Sequence, residues 1–281
     1  MREIKADDIT KTVAYLFEHA CHYLPDDVMA ALKKAQKNEK SPVCLDVLDR
    51  MLENVEISGK EQTPLCQDTG FSIVWLELGQ EVHVTGGDLY AAVNEGVRRG
   101  YKDGYLRKSV VQQCFSARVN TKDNTPADIW TDIVPGDKLK ITIMPKGGGS
   151  ENMSRLTGLS PSQGRQGIID FVVNRVDESG SNPCPPVIVG VGIGGTTEKT
   201  MMLAKKALLR KVGESNPDPE VAELERDILQ RVNNLGIGAM GYGGTVTAFA
   251  VHVETFPCHI ASLPVAVCLM CWCDRRDEAI L

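Results

Sequence analysis

Aromatic residues make up only 5% of the 281 positions, so any core this chain builds must be filled mainly by aliphatic side chains. No basic tract of five or more residues occurs, and the formal net charge is −6. Both argue against nucleic acid as the main partner, because phosphate backbones are met by clustered Lys and Arg. A small anionic substrate is not excluded, since two or three local cations suffice for it. No apolar run approaches the roughly 18 residues of a membrane span. Residues 1–20 also lack the apolar stretch and cleavage signature of a secretory signal. The expected compartment is therefore the cytoplasm. In a reducing compartment, nine cysteines are expected as thiols or metal ligands rather than disulfides, and an odd number cannot pair fully within one chain.

What is present in abundance is glycine, 26 residues, many of them clustered, where backbone turns tightly or approaches something closely. Around these clusters the chain reads as alternating helices and strands. Ile9, Val13, Leu16, Phe17 and Ala20 recur at helical spacing over 8–21, with acids near the start. A second helix is expected after Pro25-Asp26-Asp27 and a third after Ser41-Pro42, presenting Leu45, Val47, Leu48 and Leu52 and interrupted at Ser58-Gly59-Lys60. Asp88 is expected to cap a helix over 89–102; further helices are expected over about 161–176 and 218–234. Strands are expected at 71–78, 137–145, 187–194 and in 245–270. The fold class is α/β: one small mixed sheet flanked by helices. It is expected as one domain over 1–281, with a helical layer over about 1–60 and an α/β part over about 61–281.

Four stretches carry residues suited to chemistry. Thr63-Pro64-Leu65-Cys66-Gln67-Asp68-Thr69-Gly70 puts Cys, Gln and Asp consecutively before an apolar strand, where a loop can aim polar groups, although Asp-Thr-Gly is also ordinary turn material. Arg107 and Lys108 can clamp a carboxylate or merely face solvent. Lys146-Gly147-Gly148-Gly149-Ser150 offers backbone N–H groups to an anion, but the lysine precedes the glycines, unlike a phosphate-binding P-loop. Cys184 sits on a proline-stiffened loop, Asn182-Pro183-Cys184-Pro185-Pro186. Beyond it, Gly190, Gly192 and Gly195 match a dinucleotide fingerprint in form only. The required second strand with its acid is replaced by the polar, helix-initiating VGESNPDPEVAELERD.

The last stretch, PCHIASLPVAVCLMCWC (257–273), gathers Cys258, His259, Cys268, Cys271 and Cys273 around an apolar strand, buried or at an edge, broken by Pro264. Cysteine is also a common small core residue. Cys66, Cys184 and one of this C-terminal group each adjoin a proline-stiffened loop or strand end. Their wide separation suits neither a zinc ribbon nor a ferredoxin run. Three dispersed thiolates suit a cluster with one iron lacking a protein ligand, which can act as a Lewis acid. Asp68, His259 and Arg107 then form an acid/base and anion-binding set.

The segments PLCQDTG, KGGGSENMS, NPCPPVIVGVGIGGTTEKTM, NLGIGAMGYGGTVTAFAVHVE and CHIASLPVAV resemble the class I, iron–sulfur-dependent fumarate hydratase and L(+)-tartrate dehydratase family, from roughly residue 10 to the C-terminus. The resemblance implies a [4Fe–4S] cluster on Cys66, Cys184 and Cys271, with Cys268 and Cys273 as packing or secondary thiols. It implies Gln67, Asp68, Arg107, Gly149 and His259 at the substrate, with Asp68 and His259 as the catalytic candidates. It also implies that His259 serves the active site of a neighbouring protomer, so that the chain pairs with a copy of itself inside a heteromer. The chain matches the alpha subunit of two-subunit members, whose separate beta subunit completes the active site. The expected reaction is reversible hydration of fumarate to L-malate, with a small dicarboxylate as substrate. The alternatives are tartrate dehydration by the same chemistry, or a non-catalytic subunit binding zinc through Cys258, His259, Cys268, Cys271 and Cys273.

Overall fold

The computed structural model describes residues 1–281. In chain order it begins with β1 (Arg2–Lys5), α1 (Ala6–His22), α2 (Asp26–Asn38), α3 (Pro42–Glu61), β2 (Phe71–Gly79), β3 (Val82–Thr85) and α4 (Leu89–Asp103). There follow β4 (Asp128–Val134), β5 (Leu139–Lys146), the single turn α5 (Gly148–Glu151), β6 (Arg155–Leu159), α6 (Gly164–Ser179) and β7 (Val187–Gly194). The chain ends with α7 (Thr197–Ala207), α8 (Pro219–Asn233), β8 (Ala248–Phe256), β9 (Leu263–Met270) and β10 (Asp277–Ile280). The class is α/β, as expected. No helix is long and apolar enough to cross a membrane.

The chain divides into two compact units, Met1–Pro25 with Asn54–Gly148 and Arg275–Leu281, and Asp26–Glu53 with Gly149–Asp274. The strands expected in one small sheet separate accordingly. Segments 71–78 and 137–145 belong to a four-stranded sheet ordered β10-β5-β2-β4, and 187–194 and 245–270 to another ordered β6-β9-β7-β8. The helices of the first sixty residues divide too: α1 lies in the first unit, α2 in the second, and the division falls within α3.

In the first unit, β2 is central, antiparallel to β5 and parallel to β4, and Ser72 to Leu76 are buried. The α1 residues Ile9, Val13, Leu16, Phe17 and Ala20 are all buried, joined in one core by Val93, Val97 and Tyr101 of α4. The Asp88 carboxylate caps α4, accepting the Ala91 N–H at 2.8 Å. The expected interruption at Ser58-Gly59-Lys60 does not occur, and α3 continues to Glu61. Ser58 is buried, its hydroxyl meeting the carbonyls of His22 (2.8 Å) and Thr63 (2.5 Å). The inward residues of α3 are Cys44, Leu48, Met51 and Val55; of the expected quartet Leu48 is among them, Val47 and Leu52 are half-buried and Leu45 is exposed.

In the second unit, β9 is interior, antiparallel to both β6 and β7, and Pro264 lies opposite Gly158 of β6. An interior proline is tolerated there near the strand's start. Side chains of α6 and α8 form one core with Val187, Val189 and Val191 of β7. The other face of β7 carries Gly190 and Gly192, where a Cβ would stand 2.1 Å from the carbonyl oxygens of Ala204 and Thr200 in α7. The glycine pattern that mimics a dinucleotide fingerprint thus lies inside the strand and lets a helix approach it. Beyond α7 the chain over 211–218 forms no strand and leads into α8, whose N-cap is Asp218.

Candidate functional site

In the first unit, the loop over 63–70 is fixed from several sides. The Asp68 carboxylate accepts the Gly70 N–H through Oδ1 (3.1 Å) and the Gly148 N–H through Oδ2 (2.8 Å). The glycine-rich run expected to hold an anion therefore binds, at Gly148, a carboxylate of its own chain. Thr69 donates its hydroxyl to the carbonyl of Arg107 at 2.9 Å, which brings the Arg107 segment to this loop. Arg107 and Gln67 are exposed, and Cys66 is half-buried with its Sγ 3.5 Å from Gln67 Oε1. Cys66, Gln67, Asp68 and Arg107 are thus drawn together.

Beneath them lies a buried polar layer that sequence reasoning missed. The Tyr101 hydroxyl donates to the carbonyls of Thr69 (2.8 Å) and Gly70 (3.1 Å). The Asn124 amide donates to the Gly70 carbonyl (3.1 Å) and to Ser72 Oγ (3.0 Å), while its oxygen accepts the Ser109 N–H (2.8 Å). Burial pushes the Tyr101 phenol up, reinforced by the Cys21 thiol. Burial likewise pushes Cys21 up to about 11, against the lowering effect of the Arg275 guanidinium. Arg275 is only 1% exposed. Its Nη2 and Asp68 Oδ2 lie 3.6 and 3.3 Å from the point where a Cβ on Gly147 would stand. In sequence, Asp274-Arg275-Arg276-Asp277 looks like a solvated charge run, so no signal pointed to Arg275. Tyr101 follows Val93 and Val97 at the same four-residue spacing on α4, a signal that could have marked it as inward-facing.

In the second unit, Cys184 is exposed and held in a left-handed conformation, φ +54°, uncommon for a residue with a side chain. Its N–H donates to the Ser181 carbonyl (3.0 Å), and its carbonyl accepts the Trp272 N–H (3.2 Å). The neighbouring Pro185 carbonyl accepts the Met240 N–H at 2.7 Å. A Cβ on Gly149 would stand 2.9 Å from the Asn182 carbonyl oxygen. Gly149, the Cys184 loop and the buried Cys271 segment are therefore neighbours. His259 is not among them. It occupies an exposed turn before β9, with Cys271 just beyond that strand's far end; eight residues at strand rise span roughly 26 Å. Its Nδ1 accepts the Ala261 N–H at 3.1 Å, which leaves the proton of the neutral ring on Nε2.

The same separation removes the local zinc site, since Cys258 and His259 lie at one end of β9 and Cys271 and Cys273 at the other. Cys268 lies between them, its Sγ 3.5 Å from Met201 Sδ of α7, a packing position. Neither unit gathers three or more His, Cys, Asp or Glu side chains into a metal-binding group. Cys66 in the first unit, and Cys184 and Cys271 on adjoining segments of the second, are all thiol donors. Soft thiolates favour iron–sulfur clusters over hard oxygen-seeking ions.

The family model described as fumarate hydratase (Fumerase) matches residues 10–280. The putative L(+)-tartrate dehydratase subunit alpha of Methanocaldococcus jannaschii is 44% identical over 272 residues, covering 95% of each chain. The L(+)-tartrate dehydratase subunit alpha of Escherichia coli O157:H7 is 34% identical over 277 residues, 97% of this chain and 90% of its own.

Proposed function

Because this chain belongs to the fumarate hydratase (Fumerase) family, we propose that it is the alpha, cluster-binding subunit of an iron–sulfur hydro-lyase interconverting L-malate with fumarate and water. The observation that carries the reading is Asp68: a carboxylate held by two backbone N–H groups, two residues after Cys66 and joined through Thr69 to the Arg107 segment. Cys66, Cys184 and Cys271 are the residues that would hold a [4Fe–4S] group. When bound, it supplies Lewis acidity at an iron without a protein ligand. Residues 1–281 act in this reading as one functional domain.

The chain's own groups have distinct parts. Arg107 takes a substrate carboxylate in its planar fork. The Gln67 amide and the Gly149 N–H hydrogen-bond the dicarboxylate and fix its orientation. Asp68 receives the C3 proton as the C–H pair becomes the new C=C bond. The C2 hydroxyl gains one proton from solvent and leaves as water with the C–O pair, and Asp68 returns its proton to solvent, so no net proton is consumed. His259, exposed and far along β9 from Cys271, donates from Nε2 to substrate in the site of a second copy. A separate beta subunit completes the site, in keeping with relatives whose names carry "subunit alpha".

A second reading keeps the chemistry and changes the substrate to L(+)-tartrate, because both relatives bear that name. The additional C3 hydroxyl then requires one more polar partner. The test is anaerobic reconstitution with iron and sulfide, alone and co-expressed with a beta subunit, followed by assay on malate, fumarate and tartrate. The expected result is about four irons with matching sulfide per chain, activity only with both subunits, and loss of the cluster's visible absorbance in Cys66→Ser, Cys184→Ser and Cys271→Ser. A colourless, zinc-loaded protein inactive on all three substrates would overturn the reading.

A further inference from the structure

Arg275 is the largest fully buried side chain of the molecule, 1% exposed. A guanidinium in that setting is costly unless nearby groups compensate for its lost hydration, so its neighbours indicate its purpose. They include the Cys21 thiol, whose pKa it lowers against burial, and Gly147, beside Asp68; its charge also acts on the Tyr101 phenol, whose hydroxyl meets the Thr69 and Gly70 carbonyls. Residues 65 to 70 are thus met from below at several points. The Leu65 N–H donates to the Cys21 carbonyl at 2.9 Å, Tyr101 takes residues 69 and 70, and Arg275 stands under the Asp68–Gly147 corner. Arg275 is too deeply buried to touch a substrate, so it acts on the reaction through the groups it supports, and of these Asp68 is the one given a part in the chemistry above.

We propose that Arg275 is a positioning residue: its buried positive charge, placed under Gly147, keeps the Asp68 carboxylate seated on the Gly148 N–H and so fixes the direction from which Asp68 meets a ligand. Gly147 belongs to the same arrangement. A Cβ there would press on Asp68 Oδ2 at 3.3 Å and touch Arg275 Nη2 at an ordinary contact distance of 3.6 Å, so glycine leaves the Asp68 side of the corner open. The effect on catalysis rests on the reading of Asp68 above, but the seating of its carboxylate does not.

The test uses the full chain with its beta subunit, in Arg275→Gln and Arg275→Lys. Hydrogen exchange at the Gly148 amide reports the Asp68 contact without reference to activity. The expected result is exchange about tenfold faster in Arg275→Gln and less so in Arg275→Lys, with β9 amides of the second unit unchanged. In steady state, Arg275→Gln is expected to lower kcat about 30-fold with KM within about twofold. Adding it to Asp68→Asn should cost nothing further, because both changes disable one group. Gly148 exchange at the wild-type rate in whichever variants fold would overturn the proposal, as would multiplicative effects of Arg275→Gln and Asp68→Asn. If the wild-type complex has no hydro-lyase activity, the functional reading fails and Gly148 exchange still decides the role of Arg275.

Discussion

The two cysteine-bearing loops, 63–70 in the first unit and 182–186 in the second, are immobilised by different means. The first is held by side chains: Asp68 on two amides, Thr69 on the Arg107 carbonyl, and Tyr101 and Asn124 on the Gly70 carbonyl. The second is held by backbone: Cys184 N–H on Ser181, the Cys184 carbonyl on Trp272, the Pro185 carbonyl on Met240, with three prolines restricting φ. A loop built from side-chain contacts can be weakened one polar atom at a time. A loop built from backbone is indifferent to such changes and vulnerable to added volume or altered φ. The contrast suits a reading in which the first loop handles protons and the second presents a thiol.

The sharpest test of that contrast is Asp68→Asn. It preserves size and one acceptor oxygen but removes the charge and the base. We expect kcat to fall by about 100-fold or more, and stability to fall by about 1–2 kcal/mol because the Asn NH2 cannot accept one of the two backbone N–H groups that Asp68 holds. Activity within a few-fold of wild type would overturn Asp68 as the base. In the second unit the matching test is steric. Gly241 adopts φ +83°, and a Cβ there would stand 2.5 Å from Ser181 Cβ, on the residue whose carbonyl holds Cys184. Gly241→Ala is expected to destabilise by about 2–4 kcal/mol. Gly136→Ala, at φ +105° with no atom within 4 Å of the added carbon, carries the φ cost without the clash. Equal Tm losses in the two variants would show that crowding at Ser181 contributes nothing.

Tyr101→Phe should act on the first loop alone. It removes one hydroxyl from the carbonyls of Thr69 and Gly70 and leaves them buried, at a cost of about 1–2 kcal/mol. If the loop is held by side chains, exchange at residues 65–70 accelerates while the Cys184 loop is unaffected. Equal acceleration in both loops would break the comparison.

Much of this arrangement was legible in the sequence because its signals are local. The stripe of Ile9, Val13, Leu16 and Phe17, the cap at Asp88, and the prolines around Cys184 each specify their own few residues. What was not legible depends on pairings between distant residues. β10 forms only because Asp277 to Ile280 find β5, more than 130 positions earlier, and β4 only because it lies parallel to β2. The division of the strands into two sheets is of the same kind. So is the buried layer: Arg275 reads as part of a solvated charge run, Asn124 as loop polarity, and only the fold places them beneath Asp68. The expected break in α3 failed for a related reason, since Ser58 gains buried carbonyl partners from His22 and Thr63 that offset its low helix preference.

Side chains hold backbone elsewhere in the second unit, as Thr247 does at Ile237 and Gly238 and Asn233 does at Thr247 and Ala248, and one such contact gives the smallest expected effect. Glu39 grips the end of the glycine-rich run. Its Oε2 accepts the Thr245 N–H (2.9 Å) and hydroxyl (3.0 Å), and its Oε1 accepts the N–H groups of Lys40 (2.8 Å) and Ser41 (2.9 Å). Burial acts to raise its pKa, but these hydrogen bonds to the ionised form outweigh it and bring the carboxyl down from 4.5 to about 2. A folded-state pKa below the unfolded one adds stability above the unfolded value, and that addition disappears as pH falls toward the folded value. Glu39→Gln should therefore lower stability by about 1 kcal/mol at neutral pH. The Tm gap between wild type and variant should narrow between pH 4.5 and about 2, read by thermal melts across that range. A gap that is constant with pH would mean that Glu39 acts through shape rather than charge.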